Sequence, residues 1–204
     1  MRILDLFAGK GGEERRKKVE ALGHSYITLD NDESFNCDIA CDILEYNPIE
    51  KFDMIWASPP CEAFSVASIG HHWGGGDKAY IPKTNWAKKS IKILGKTIEL
   101  IKTIDPKWWY IENPVGMMRA VGNLGEYVRA TVTYCQYGEK YMKPTDIWTN
   151  DIDWATWKAK RCKNGDSCHE PAPRGSKTGT QGIKGSDNRA IVPWGLWESI
   201  LEGK

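Results

Sequence analysis

Two short segments of this chain place side chains capable of chemistry just after apolar runs. Segment 58–61 reads SPPC and segment 112–114 reads ENP. A thiol such as Cys61 can act as a covalent nucleophile, and a carboxyl group such as Glu112 can hold or exchange a proton. The simpler interpretation of Cys61 is a small buried apolar residue, but its place on a stiff Pro-Pro turn favours chemistry.

The apolar runs before these segments should bring both groups to one edge of a sheet. Residues 52–57 are apolar enough for a buried parallel strand, which the following prolines should end because they cannot donate to a β-ladder. Residues 107–111 predict another strand, which a carboxylate and a proline also follow. Since open α/β sheets bind ligands at the carboxyl ends of their strands, we expect Cys61 and Glu112 to lie close together.

The start of the chain has a pattern typical of nucleotide-binding α/β units. A predicted strand at 2–7, a glycine loop at 8–12 and a helix at 13–22 are followed by a second strand at 25–29, which ends on Asp30. Glycines let the backbone approach a ligand, and an acid in this position can accept hydrogen bonds from ribose hydroxyls. Each signal is weak alone, because many glycine-rich turns and turn carboxylates bind nothing.

The rest of the pattern completes an α/β prediction. Segments 127–134 and 145–149 are rich in β-branched and aromatic residues and predict a strand pair. The other predicted elements are a strand end at 41–44, a long helix at 85–104, a closing helix at 193–201, and loops at 65–84 and 161–185. We therefore expect an α/β fold with a mostly parallel sheet and an antiparallel strand pair at its edge.

Composition limits the class of protein and of partner. A chain of 204 residues with 41% hydrophobic residues and a net charge of +1 predicts one globular domain, 1–204, that is not a polycation. Any nucleic-acid contact must then come from local basic patches. No signal peptide and no apolar run of about 20 residues is visible, so we expect no membrane partner, a cytoplasmic location and reduced thiols.

The order of these segments resembles that of the DNA cytosine-5 methyltransferases. Segment 5–12 (DLFAGKGG) resembles their first motif, segment 58–65 (SPPCEAFS) their nucleophile motif, and segment 112–114 their Glu-Asn-Val motif. The resemblance implies a Rossmann-like, S-adenosylmethionine-dependent methyltransferase fold in a minimal form such as phages carry. It weakens after Tyr134.

The resemblance also implies roles for individual residues. Cys61 would add to C6 of a cytosine extruded from DNA, so that C5 takes a methyl group from S-adenosylmethionine, and Glu112 would hold the N3 edge. We expect the positive site that Cys61 would share with the cofactor to lower the pKa of its thiol. Asn113 would contact the substrate. The residues carried over as cofactor contacts are Phe7, Ala8, Gly9, Asp30, Asp42 and Pro59.

The chain departs from the family pattern in its last third. Lys143 and Thr145 stand where the family has arginines that brace the base, and we carry them over as substrate contacts. The family's Gly-Asn-x-Val-Pro motif is matched at 192–193 only, with Asn188 the nearest asparagine. Only 151–188 remains of the large target-recognition region, so recognition would be relaxed, very short, or supplied by a partner protein or oligomer.

Segment 174–179 (RGSKTG) is the best candidate for contacting the phosphate backbone, through Arg174 and Lys177, although a plain flexible loop explains it nearly as well. A metal site is a further reading, because zinc suits the side chains of Cys162, Cys168 and His169, with Cys135 as a fourth ligand. Their spacing is unusual, however, and we assign no metal from the sequence.

Two other functions fit the same residues. A cytosine-5 methyltransferase acting on tRNA would keep the chemistry and change the substrate, and the reduced recognition region is compatible with it. A nucleic-acid-binding protein with an inactive methyltransferase fold is the other alternative. The presence of both Cys61 and Glu112 argues against it, because a binding protein needs neither.

Overall fold

The computed structural model describes residues 1–75, 80–172, 180 and 182–204. Nine strands are found among these residues. They are β1 (Arg2–Leu6), β2 (Ser25–Asp30), β3 (Ile39–Ala40), β4 (Met54–Ala57), β5 (Trp73–Gly74), β6 (Ile81–Pro82), β7 (Trp108–Pro114), β8 (Val128–Thr133) and β9 (Pro144–Thr149). Seven of them form one sheet in the order β3-β2-β1-β4-β7-β9-β8, and β5 and β6 form a separate hairpin.

The sheet is parallel from β3 to β7 and antiparallel beyond it. β1 pairs in parallel with β2 and β4, and β4 pairs in parallel with β7. β9 then runs antiparallel to both β7 and β8. This arrangement confirms the predicted α/β class, with its mostly parallel sheet and its antiparallel strands at one edge.

Helices cover both faces of the sheet. The α-helices among the described residues are α1 (Gly12–Ala21), α2 (Ile69–His72), α3 (Asn85–Ile104), α4 (Met118–Val121), α5 (Ser186–Ala190) and α6 (Trp194–Leu201). The long helix α3 has the predicted bounds, because Thr84 accepts a hydrogen bond from the backbone N of Ala87 at its start and Asp105 ends it in the left-handed conformation.

The strand side chains alternate between two cores. On one face, Ile55 of β4 packs in a cluster that includes Leu94 of α3. On the other face, Trp56 packs against Trp197 of α6, with ring centroids 4.8 Å apart. All four residues of β4 are fully buried, as expected for a central parallel strand whose two faces are both covered.

Three sequence predictions of local structure are wrong. The third strand ends at Ala40, and residues 42–45 form a turn in which the N–H of Glu45 donates to the carbonyl oxygen of Asp42. Stretch 65–84 contains α2 and the β5-β6 hairpin. Glu112 lies within β7, because antiparallel pairing with β9 extends that strand to Pro114.

Across the described ranges, the helices are either too short or too polar to cross a membrane.

Candidate active site

A cavity of about 680 Å³ lies at the carboxyl ends of β1, β2, β4 and β7. Its volume falls in the range of roughly 300–1,000 Å³ that is usual for small-molecule sites. Most of the residues predicted for the site line this one cavity. They are Phe7, Ala8, Gly9, Asp30, Pro59, Cys61, Glu112 and Lys143.

The glycine loop after β1 is held by the acid that ends β2. Phe7 and Gly9 have φ angles of 65° and 55°, so the chain turns sharply in the left-handed region, where Gly9 is favoured. The N–H of Gly9 donates to Oδ2 of Asp30 at 2.9 Å, and the N–H of Asp32 donates to Oδ1 at 3.1 Å. A carboxylate has about four lone pairs, so Asp30 can still accept hydrogen bonds from a ligand in the cavity.

Arg15 supports this loop through buried hydrogen bonds, a role that no sequence signal indicates. Its guanidinium group donates to Oδ2 of Asp5 at 2.8 Å and to the carbonyl oxygen of Ala8 at 2.5 Å. Both charged side chains are buried, and a Cβ at position 11 would collide with the guanidinium group. In the sequence Arg15 is one of four consecutive basic residues in α1, and only the packing of the fold shows that it is the buried one.

Cys61 lies on a turn at the end of β4, between the glycine loop and β7. The backbone N–H groups of Phe64 and Ser65 donate to its carbonyl oxygen at 2.9 and 2.8 Å, which closes the turn. Burial raises the pKa of its thiol, the attraction of Lys143 opposes this rise, and the repulsion of Glu112 adds to it. Without the cofactor, desolvation thus outweighs the attraction of Lys143. The lowering expected from the charge that the site shares with the cofactor stays a prediction.

Glu112 is buried beside Tyr134 and Lys143. The hydroxyl of Tyr134 donates to Oε1 of Glu112 at 3.0 Å. Burial raises the pKa of Glu112, although the charge of Lys143 and the Tyr134 hydrogen bond both oppose that rise. Desolvation likewise lowers the pKa of Lys143, whose Nζ donates to the carbonyl oxygen of Arg189 at 2.7 Å. A half-buried thiol, a buried carboxyl group and a buried amine thus influence one another's ionisation.

Three residues carried over from the family do not line the cavity. Asp42 forms an ion pair with Lys89 at 3.0 Å, away from the glycine loop. Asn113 and Thr145 are fully buried, and Thr145 Oγ1 donates to the carbonyl oxygen of Lys143 at 3.2 Å. Asn113 Nδ2 donates to the carbonyl oxygen of Pro59 at 2.9 Å, so both side chains brace backbone in the structure, and their contacts with substrate stay a prediction. Arg174 and Lys177 lie outside the described residues.

The end of the chain forms another wall of the cavity, which the partial Val-Pro match indicated only weakly. Arg189, Ile191 and Val192 line it. Asn188 Oδ1 accepts a hydrogen bond from Lys10 Nζ at 2.8 Å, which joins α5 to the glycine loop. Residues from the first and the last parts of the chain therefore line the cavity together.

Known proteins support the same family. A family model described as C-5 cytosine-specific DNA methylase matches residues 1–124. A protein of Frog virus 3 (isolate Goorha), named "Probable DNA (cytosine-5)-methyltransferase", is 33% identical over 175 residues, which cover 82% of this chain and 78% of the viral protein.

A crystal structure described as a DNA modification methyltransferase encoded within an E. coli prophage aligns with a TM-score of 0.48 and 14% identity. The alignment covers 73% of this chain and 46% of the prophage protein, so this chain spans less than half of it. The family model and the viral relative confirm the resemblance predicted from the motifs: this chain belongs to the C-5 cytosine-specific DNA methylase family.

Proposed function

We propose that this chain transfers a methyl group from S-adenosylmethionine to C5 of cytosine in DNA, with Cys61 as the covalent nucleophile. One observation carries the proposal. Cys61 and Glu112, from the neighbouring parallel strands β4 and β7, line the same cavity as the glycine loop. Membership of the family supports DNA as the substrate.

The wall formed by the ends of β1 and β2 fits the methyl donor. The left-handed turn at Gly9 and the carboxylate of Asp30 can receive a nucleoside, and Phe7 and Phe35 add apolar surface. When bound there, S-adenosylmethionine supplies an electrophilic methyl group. Pro59, which the family resemblance carries over as a cofactor contact, lines the same cavity two residues before Cys61.

Cys61 provides the activation that cytosine needs. Its thiolate forms a bond to C6, and the π electrons of the C5–C6 bond make C5 a nucleophilic carbon. After C5 has been alkylated, a base takes the C5 proton, the electrons of the C5–H bond re-form the C5–C6 double bond, and the Cys61 sulfur leaves C6 as a thiolate. The target cytosine must leave the helical stack, because a base held in the duplex cannot present C6 to Cys61 in the lining of a cavity.

Glu112 is suited to the opposite edge of the base. Because burial raises its pKa, it stays protonated to higher pH than an exposed carboxyl group and can donate a hydrogen bond to N3. Electron density that reaches the ring from Cys61 accumulates partly at N3, so this hydrogen bond strengthens as the adduct forms. Lys143 provides the positive charge that favours the thiolate.

We propose that target recognition by this chain is relaxed, rests on few residues, or is supplied by a second protein. Segment 151–188 has no room for a separate recognition domain, and the net charge of the chain is only +1. We expect a short target sequence, which sequencing of the methylated cytosines would identify.

Trapping the adduct tests the proposal. Duplex DNA that contains 5-fluorocytosine, incubated with S-adenosylmethionine, should form a complex that survives denaturation, because fluorine at C5 blocks the final elimination. Peptide mass spectrometry should place the adduct on Cys61. Cys61→Ser should form none, and Cys37→Ser, which changes a thiol absent from the cavity lining, should form it normally.

A parallel incubation with tRNA containing the same base distinguishes the substrates. An adduct on tRNA alone would overturn the DNA assignment. The lack of an adduct on either nucleic acid, from protein that binds S-adenosylmethionine, would overturn the mechanism.

A further inference from the structure

Four side chains with metal-binding atoms converge outside the candidate active site. Cys135 follows β8, and Cys162, Cys168 and His169 come from the stretch after β9. One donor atom from each of the four lies within 4.8 Å of the others, and none of the four lines the large cavity. The cluster therefore requires an explanation that the methyl-transfer chemistry does not supply.

Three of the distances within the cluster match the edges of a zinc tetrahedron, and the fourth, 3.3 Å between the sulfurs of Cys135 and Cys162, is shorter than such an edge. With Zn–S bonds near 2.3 Å and Zn–N bonds near 2.0 Å, tetrahedral geometry separates two sulfurs by about 3.8 Å and a sulfur from a nitrogen by about 3.5 Å. The Sγ atoms of Cys168 and Cys135 are 3.7 Å apart. Nδ1 of His169 lies 3.5 Å from the sulfur of Cys168 and 3.6 Å from that of Cys162.

We propose that Cys135, Cys162, Cys168 and His169 form a structural zinc site. Three thiolates and one imidazole are a donor set that zinc prefers, and with four protein ligands no position is left for water or substrate. The proposal concerns the integrity of the fold and does not depend on the methyl-transfer function.

A disulfide accounts for less of the arrangement. The sulfurs of Cys135 and Cys162, 3.3 Å apart, are the closest pair, and all six cysteines are free thiols in the structure. A disulfide between this pair would not explain why the donor atoms of Cys168 and His169 lie within 4.8 Å of the same two sulfurs. A metal ion explains all four positions at once.

The surrounding contacts show what such an ion would stabilise. The N–H of Cys162 donates to Oγ1 of Thr133 at 2.9 Å, and the N–H of Glu170 donates to the carbonyl oxygen of Lys140 at 2.8 Å. Cys135 directly follows Tyr134, whose hydroxyl donates to Glu112. Zinc would therefore hold stretch 161–170 against the segment that braces the buried carboxyl group.

Metal content tests the proposal in the full chain. Protein expressed with zinc, kept reduced and passed through a chelating resin should retain one zinc ion per chain by mass spectrometry of the metal. Replacement by cobalt should give the charge-transfer and visible bands of tetrahedral thiolate-bound Co²⁺. Cys168→Ser should lose the zinc, and because Cys168 is exposed this variant should still fold.

Cys37→Ser and Cys41→Ser change thiols outside the cluster and should keep the zinc. Thiol titration of the native wild-type protein, before and after a strong chelator, is a second readout that needs no variant. It should show three cysteines that react only once the chelator is added. Three results would each overturn the site. The first is reduced protein that contains no zinc, and the second is zinc retained by Cys168→Ser. The third is four titratable thiols instead of six in the unfolded chain.

Discussion

Asn113 joins the two strands that carry the candidate catalytic groups, because its Nδ2 donates to the carbonyl oxygen of Pro59 at 2.9 Å. Asn113 directly follows Glu112 in β7, and Pro59 lies two residues before Cys61. Both residues lie at the carboxyl ends of adjacent parallel strands, where Ala57 pairs with Ile111. The hydrogen bond therefore fixes the position of the turn that carries Cys61 (the thiol turn) relative to the carboxyl group of Glu112. Asn113 is thus a positioning residue.

Removing this hydrogen bond should affect catalysis more than binding. We expect Asn113→Ala to lower the free energy of unfolding by about 1–3 kcal/mol, because the carbonyl of Pro59 loses its partner. It should also lower kcat for methyl transfer and leave the Kd for S-adenosylmethionine nearly unchanged. Denaturant titration and single-turnover assays measure the two effects.

Asn150→Ala is a matched control for this variant. Asn150 also bonds to backbone at β7, accepting from the N–H of Trp109 and donating to the carbonyl of Lys107, but at the end of the strand far from Glu112. It should reduce stability and keep kcat. Equal losses of kcat in the two variants would show that Asn113 acts only through stability.

Lys143 should set the pH at which Cys61 becomes reactive. Its charge lowers a thiol pKa that burial raises, so Lys143→Met should raise that pKa further. The alkylation rate of Cys61 by iodoacetamide, followed by peptide mass spectrometry, should then reach its midpoint at higher pH than in the wild type. Lys140→Met removes an exposed lysine nearby and should keep the wild-type midpoint. An unshifted midpoint in Lys143→Met would contradict the role.

Gly116 allows the thiol turn to pack against the segment after β7. The N–H of Met117 donates to the carbonyl oxygen of Phe64 at 2.7 Å, and a Cβ on Gly116 would overlap that oxygen. Gly116→Ala should therefore lower the free energy of unfolding by about 1–3 kcal/mol and reduce activity. Gly95 lies on α3 with open space where a Cβ would lie, so Gly95→Ala should instead raise the free energy of unfolding by about 0.5–1 kcal/mol. Thermal denaturation of both variants checks the opposite signs.

Asp30 and Asp42 should differ in their effect on the methyl donor. Asp30 lines the cavity and holds the glycine loop, whereas Asp42 is paired with Lys89 outside it. Calorimetry should show that Asp30→Asn weakens binding of S-adenosylmethionine about tenfold or more. Asp42→Asn should bind almost as the wild type does. The reverse order would mean that Asp42 contacts the ligand after a rearrangement of its loop.

Local pattern explains why much of the fold was predictable. The apolar run before Cys61, the period of α3 and the glycine loop are each encoded within about 20 residues, so propensity and burial decide them. The end of β7 was not predictable, because the pairing of Glu112 with Ile147 joins residues far apart in the chain. The two-residue strand β3 was misplaced because so short an element carries almost no periodic signal.

The sequence by itself determined the kinds of chemistry available: a thiol after a Pro-Pro turn, a carboxyl group before a proline, and an acid after the second strand. Only the tertiary structure decided their environment, because desolvation and the position of Lys143 depend on every element that packs around the cavity. The burial of Arg15 under the glycine loop has the same origin. The proximity of Cys135 and His169 also depends on the tertiary structure, since side chains distant in sequence become neighbours only when the sheet forms.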